Sequence, residues 1–217
     1  TGERFHKIGV GYVTKSGTTY SSLTESDFTQ LAFSFERDEN SCTIATEGEE
    51  LNGYAYRLRK HVQVRSAGFT ISYELENTGR KTIETDEYVH NFLALGHRGP
   101  DPGYRLEFDF DLETEKLRET VDPEASVVLG ARGVRFSAPR TTPFFYTNLC
   151  EGRSVPAGWR LEHDGEGVGI RECGDFQSSR VNLWGWGHVV SPELYLHFHV
   201  PPGDSYSWNR SYELYTL

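Results

Sequence analysis

The chain contains no methionine, and its three cysteines, Cys42, Cys150 and Cys173, stand far apart without a CxxC pair. That spacing excludes a zinc ribbon and a thioredoxin-type motif. An odd count cannot pair completely within one chain, so three buried free thiols are the simplest expectation, with one disulfide as the alternative. No apolar run approaches the ~20 residues of a membrane helix, and no targeting segment is visible. Positive charge is scarce as well: 22 Lys and Arg stand against 32 Asp and Glu, a formal net charge of -10. A surface of that sign repels phosphate backbones and anionic lipid, so neither nucleic acid nor a membrane is expected as a partner. A G-x-S-x-G elbow, a P-loop and a dinucleotide fingerprint are missing too, which leaves covalent serine or cysteine chemistry nothing to stand on. Because Met is absent and the chain starts at Thr1, it is expected to be cut from a longer precursor and to lack some N-terminal strands.

What is present is alternation. In Tyr54–Val64 the residues Tyr54, Tyr56, Leu58, Val62 and Val64 share one parity, and Arg57, Arg59, His61 and Gln63 the other. Phe69–Glu76 and Tyr104–Leu112 repeat the pattern, which places one apolar face on each strand. Further strands are expected at about Ile83–Leu95, Ser126–Leu129, Val134–Ser137, Gly158–His163, Gly167–Glu172, Arg180–Trp186, Leu194–Val200 and Ser205–Tyr215. Turns such as Asn77-Thr78-Gly79-Arg80 and Pro202-Gly203-Asp204 separate them. Gly96–Gly103 reads as a loop, and Ser22–Gln30 as a loop or a short helical turn. Many short strands without a credible long helix argue an all-β fold, an antiparallel β-sandwich or a barrel, over residues 1–217 as one domain.

Four features could carry chemistry. The first is Tyr88-Val89-His90-Asn91-Phe92, at an expected strand end ahead of a Gly-rich loop, where sites collect. His90 flanked by Tyr88 and Asn91 could polarise a hydroxylated ligand, or simply hydrogen-bond within the sheet. The second is Glu193, Tyr195, His197 and His199, which share one strand face opposite the core row Leu194, Leu196, Phe198 and Val200. A carboxylate beside imidazoles suits general acid–base work. The alternatives are a solvated face, or a metal held by His197, His199 and Glu193, for which the spacing matches no strong zinc motif. The third is Trp184-Gly185-Trp186-Gly187-His188, whose rings either stack on a sugar's C–H face or fill the core. The fourth is the basic row Arg57, Arg59 and His61, either an anion site or a solvated face. Asn209-Arg210-Ser211 fits a glycosylation acceptor pattern, which matters only in a secreted protein.

Taken together, these residues resemble the galactose mutarotase-like superfamily, which includes aldose 1-epimerases and hexose-6-phosphate mutarotases. Tyr73–Ile83 resembles that family's strand–turn–strand, where an N-T-G-D-K-P type turn leads into a strand carrying a histidine. Here the strand delivers Tyr88-Val89-His90-Asn91-Phe92, similar to the family's Asn-His-Ser-Tyr-Phe-Asn. The ending Ser191-Pro192-Glu193, Pro202-Gly203-Asp204 and Trp208-x-x-x-Tyr212 is similar to the family's glutamate, turn and closing strand. The resemblance implies a mutarotase-type sandwich that binds a monosaccharide or sugar derivative and needs no cofactor or metal. Glu193 would be the base and His90 the group that holds the ring oxygen. Tyr88, Asn91, His97, Arg57, Trp186, His188, Tyr195 and His197 form the candidate ligand-binding set. One departure stands out: the family's second histidine, the acid, has no matching motif in the middle of this chain, where only His163 occurs. His97, His188 and His197 are the candidate substitutes. The alternative implied function is a non-catalytic carbohydrate-binding module on the same scaffold.

Overall fold

The computed structural model of the chain describes residues 2–15, 27–96, 99–115, 117 and 119–217. Its first nine strands are β1 (Arg4–Lys7), β2 (Gly11–Thr14), β3 (Phe28–Gln30), β4 (Phe33–Arg37), β5 (Ser41–Leu51), β6 (Tyr54–Arg65), β7 (Gly68–Asn77), β8 (Ile83–Glu87) and β9 (Tyr104–Phe108). The others are β10 (Thr120–Val121), β11 (Val127–Leu129), β12 (Gly133–Phe136), β13 (Phe144–Tyr146), β14 (Val155–His163), β15 (Val168–Ser178), β16 (Arg180–Trp186), β17 (Val189–Val200) and β18 (Ser205–Thr216). The described residues contain no helix, and none of them forms a helix long and apolar enough to cross a membrane. The expected all-β, antiparallel fold is what forms.

The strands gather into two compact units. The first unit holds β1, β2 and β3 as one small antiparallel sheet, and β4, β5 and β6 as neighbours in another, with most of β7 beside β6. Alternation decides the faces here: Tyr56 and Leu58 of β6 are buried, whereas Arg57 and Arg59 between and beside them are exposed. The Asn77–Arg80 turn is held by the Asn77 carboxamide, whose Nδ2 donates to the carbonyls of Lys81 and Val200 at 2.8 and 2.7 Å.

The second unit is a sandwich. One layer follows the order β11-β12-β9-β14-β15-β18, to which β18 contributes Asn209–Thr216. The other follows β10-β13-β16-β17, with the end of β8 beside β17. Tyr104, Leu106 and Phe108 of β9 are buried to 2% exposure or less, the outcome of their shared parity. Phe136 of one layer meets Phe144 of the other edge-on, at 5.6 Å between ring centres. Gly185, between two tryptophans, leaves the space that the Phe144 ring occupies, and a Cβ there would collide with it.

Between these layers lies a fully buried ion pair. Arg210 of β18 reaches Glu172 of β15 at 2.5 Å and Glu87 at the end of β8 at 2.7 Å, and donates to the Leu194 carbonyl of β17 at 3.0 Å. Trp159 Nε1 of β14 donates to the same Glu172 at 2.7 Å. Burial works against the Arg210 charge, but the two carboxylates outweigh it and raise the guanidinium pKa. The neighbouring Asn209 amide is itself bonded to Asp175 at 2.6 Å, so the acceptor tripeptide lies within β18.

Several sequence expectations are corrected. The strand expected over Ile83–Leu95 ends at Glu87. Beyond it the chain leaves the ladder, and Leu93 returns to bridge Val190. β1, β2, β4, β5, β10 and β13 lie where no strand was expected, because their short or polar stretches give little alternation to read. Ser22–Ser26 of the ambiguous Ser22–Gln30 segment lie outside the described residues, and Phe28–Gln30 is β3. All three cysteines are free, but only Cys150 is buried; Cys42 is half-buried and Cys173 exposed.

Removing one partner of a buried ion pair leaves an uncompensated charge. Arg210→Met should therefore cost roughly 3–5 kcal/mol. Adding Glu172→Gln, which neutralises the stranded carboxylate, should recover part of that loss. Urea unfolding curves of the two variants measure both terms, and a loss in Arg210→Met below about 1 kcal/mol, typical of exposed pairs, would contradict the account.

Candidate functional site

In the second unit, β16 and β17 pair antiparallel with Arg180 opposite Tyr195, Asn182 opposite Glu193 and Trp184 opposite Ser191. Alternation puts these six side chains on one face. The intervening residues Val181, Leu183 and Leu194 are wholly buried. Glu193 and Tyr195 are buried too, while His197 is exposed and bonds Asp86 at 2.9 Å. The polar row expected on β17 thus exists, but it is half interior and half solvated. His199 lies in the first unit, 3.6 Å from Glu84.

Segment 88–92 runs beside β17 without joining it. Here two side chains stand in for ladder bonds. The Asn91 backbone N–H donates to the Ser191 hydroxyl at 3.0 Å, and Asn91 Nδ2 donates to the Pro192 carbonyl at 3.0 Å. Phe92 takes a left-handed φ of 45°, a conformation that costs a non-glycine residue of order 1 kcal/mol. Leu93 then re-enters the ladder opposite Val190, with N···O distances of 2.8 and 2.9 Å. The break lets His90 turn out of the sheet toward Glu193.

His90 Nε2 lies 3.4 Å from Glu193 Oε1. The imidazole is stacked on Phe92 at 4.1 Å and meets Trp184 edge-on at 4.8 Å. Glu193 Oε2 accepts from the Tyr195 hydroxyl at 3.2 Å, and that hydroxyl accepts from Asn182 Nδ2 at 3.2 Å. The far side of the Tyr195 ring system is also occupied: Tyr88 stacks on it at 4.4 Å, and the Arg180 guanidinium lies 3.8 Å from its centre. Burial raises the Glu193 carboxyl to about 7, against the opposing hydrogen bonds from Tyr195 and Asn182. Burial lowers the His90 imidazole. Both shifts favour the neutral forms, and Glu193, held at about 7, can give or take its proton near neutral pH. That is the poise general acid–base chemistry requires.

The other candidates fall in different places. Tyr88 is partly exposed above the Tyr195 ring. Tyr195 is buried and supports Glu193 instead of presenting itself to a ligand. The Asn91 side chain points inward, to Glu172 at 3.3 Å and Tyr212 at 3.1 Å. Trp186 donates to the Thr141 carbonyl and packs near His188 at 5.8 Å, while Trp184, one repeat earlier on the same face, takes the place beside His90. Arg57 belongs to the first unit, where it pairs with Glu47 and Glu76 on an exposed strand. His97 lies outside the described residues. His163 is buried, with Nε2 on Asp101 at 3.2 Å and Nδ1 accepting the Glu166 N–H at 3.0 Å. Among the described residues no group of three His, Cys, Asp or Glu is arranged to hold a metal. The candidate ligand set left out Trp184 and Phe92, although both lie in the motifs singled out, and sequence reasoning passed over Asn182 and Arg180 altogether. The β16–β17 register brings Arg180, Asn182 and Trp184 to the face of Glu193, and a single sequence does not print that register.

No family model and no curated protein matches the chain by sequence. Solved structures do match its fold. A candidate aldose 1-epimerase from Escherichia coli K12 superposes with a TM-score of 0.66 at 13% identity, covering 100% of this chain and 80% of the other. A galactose mutarotase-like protein from Lactobacillus casei gives 0.63 at 13%, over 87% and 74%. A galactose mutarotase-like protein from Clostridium acetobutylicum gives 0.57 at 9%, over 87% and 67%. The fold is therefore that of the galactose mutarotase-like proteins, as the sequence motifs implied.

Glu193 binds its proton more tightly in the folded chain, at about 7 against an ordinary 4.5. Its contribution to stability is complete below the ordinary value and is lost as pH rises through about 7. Glu193→Gln removes that dependence. Its unfolding free energy should gain on that of the native chain between pH 4.5 and 7, reaching an advantage of about 3 kcal/mol above that window. Two parallel stability curves across the window would show that the carboxylate ionises at no burial cost.

Proposed function

We propose that this chain binds a monosaccharide and interconverts its α and β anomers, as an aldose 1-epimerase, with Glu193 as base and His90 as its partner acid. The observation that carries the reading is the 3.4 Å approach of His90 Nε2 to Glu193 Oε1, made by residues on separate strand neighbourhoods. Mutarotation needs one proton removed from the anomeric hydroxyl and one delivered to the ring oxygen as the C1–O5 bond breaks. Glu193 as carboxylate takes the first. His90 as imidazolium gives the second, which leaves Glu193 protonated and His90 neutral, the forms that burial favours in both. Ring closure on the other face of the aldehyde reverses both transfers. No cofactor enters.

The surroundings suit a sugar. Tyr88 and Phe92 are exposed to 42% and 56%, which leaves flat apolar surface on either side of the pair for C–H faces. His163 is committed to Asp101 and the Glu166 N–H, and His197 to Asp86, whereas His90 reaches Glu193 directly, which favours His90 as the proton donor. The second reading, a sugar-binding module without catalysis, draws on the same fact. If His90 does not donate, no second histidine described near Glu193 replaces it.

Polarimetry of freshly dissolved α-glucose and α-galactose, with and without protein, tests the reading. The protein should accelerate the spontaneous change, and Glu193→Gln should reduce that acceleration by ~10²–10⁴-fold, the usual cost of losing a general base. His90→Gln should lower it comparably, since both protons move in one step. Sugar binding with no acceleration over a broad panel of aldoses would establish the module in place of the enzyme.

A further inference from the structure

We infer that Asn91 is a positioning residue: its carboxamide, clamped against Glu172, Pro192 and Tyr212, maintains the break in the β17 ladder that sets His90 against Glu193. The catalytic consequence rests on the reading above; the geometric one does not.

The argument begins with what a strand would do at this position. Had β8 continued along β17 past Glu87, successive side chains would alternate across the sheet and the backbone would satisfy the β17 carbonyls. Instead the chain bows away, and a buried carbonyl cannot be left without a donor. Asn91 Nδ2 donates to the Pro192 carbonyl at 3.0 Å, in the role a backbone N–H would have filled. The same carboxamide is fixed at its other atoms. Nδ2 also contacts Glu172 Oε2 at 3.3 Å, and Oδ1 accepts from the Tyr212 hydroxyl at 3.1 Å. Glu172 has no freedom to follow a moving partner, since Arg210 and Trp159 hold it from two further directions. Asn91 is therefore seated on the buried Arg210–Glu172 pair, and its own N–H is tied to Ser191 on β17. His90 precedes it and Phe92, in its left-handed conformation, follows. Those two rings stack on each other at 4.1 Å and share Trp184. Fixing Asn91 fixes both flanking rings, and with them the orientation of Nε2. A side chain that only stabilised the fold would need none of this adjacency.

The test uses the full chain with isotope-labelled histidine and needs no sugar. Stacked on Phe92 and facing Trp184, the His90 ring protons should be displaced upfield by ring currents and show cross-relaxation to the Trp184 indole. Assignment comes from His90→Gln. In Asn91→Ala the displacement should collapse toward the value of a free histidine and the cross-relaxation should vanish. Tyr212→Phe, which keeps the ring and deletes only the hydroxyl on Asn91, should move the same signals in the same direction by less. In an active protein, Asn91→Ala should lower kcat by up to ~10²-fold with KM nearly unchanged, as misplacement by about 1 Å does. If Asn91→Ala does not fold, Tyr212→Phe decides alone. Unshifted His90 signals in the folded variants would overturn the positioning role, whatever the polarimeter shows. A native protein without mutarotase activity would overturn the functional reading and leave the spectra to judge Asn91.

Discussion

The second unit depends on one buried contact, the Arg210 guanidinium on Glu172. Both side chains are at 0% exposure, so each has exchanged water for the other. Such a pair returns its desolvation cost only where further hydrogen bonds complete both groups. They do so here. Arg210 also serves Glu87 and the Leu194 carbonyl, and Glu172 also serves Trp159 and Asn91. The partners come from both layers of the sandwich. The pair therefore fixes how the β15–β18 layer lies on the β17 layer, and it does so at the place where β8 abandons β17. Apolar contacts would hold the layers together equally well, but they would not specify which carbonyls and which loop residues meet.

The candidate site is built at that departure. A continuous β8 would have left His90 in a ladder, its ring fixed by strand parity. The break frees it, Asn91 and Ser191 repair the ladder behind it, and the imidazole comes to rest on a face already carrying Glu193. That face is supplied by β16 and β17, two long strands whose opposite side is solid core. The scaffold is thus regular where it holds Glu193 and irregular where it holds His90, a division common in sites that sit beside strand ends.

Much of this architecture was legible in the chain. The parity of Tyr104, Leu106 and Phe108, and of Leu194, Leu196, Phe198 and Val200, reports burial directly, because a period of two has only two faces. The match of His90 and Glu193 to two family motifs singled out the residues that the structure brings to 3.4 Å. What was not legible has a common cause. Alternation says which face a residue takes but not which strand it will stand beside. Asn182 and Trp184 belong to the site only through the β16–β17 register. Asn91 was read as a ligand contact because an amide next to a histidine suits a hydroxyl, and its inward turn follows from carbonyls of β17 that lie a hundred residues away. Arg57 was read beside them, yet its guanidinium is already engaged by two glutamates in the other unit.

The two buried glutamates of this unit show why burial alone does not mark a site. Glu172 and Glu193 are both carboxylates on interior strand faces, at 0% and 3% exposure. Glu172 faces a guanidinium and an indole N–H, so its charge is answered and its hydrogen bonds are spent. Glu193 faces a hydroxyl, an amide and an imidazole, none of which carries a fixed positive charge. Arg180, the nearest guanidinium on that face, is turned aside by its bond to Asp86 and lies flat on Tyr195. Desolvation therefore acts on Glu193 with little to offset it, and its proton is held near neutral pH. The first carboxylate is the structural partner of a guanidinium and the second an exchangeable proton site. The difference lies in where two arginines were placed: Arg210 bonds one glutamate directly, while Arg180 bonds Asp86 and opposes the burial of the other only through its charge at a distance.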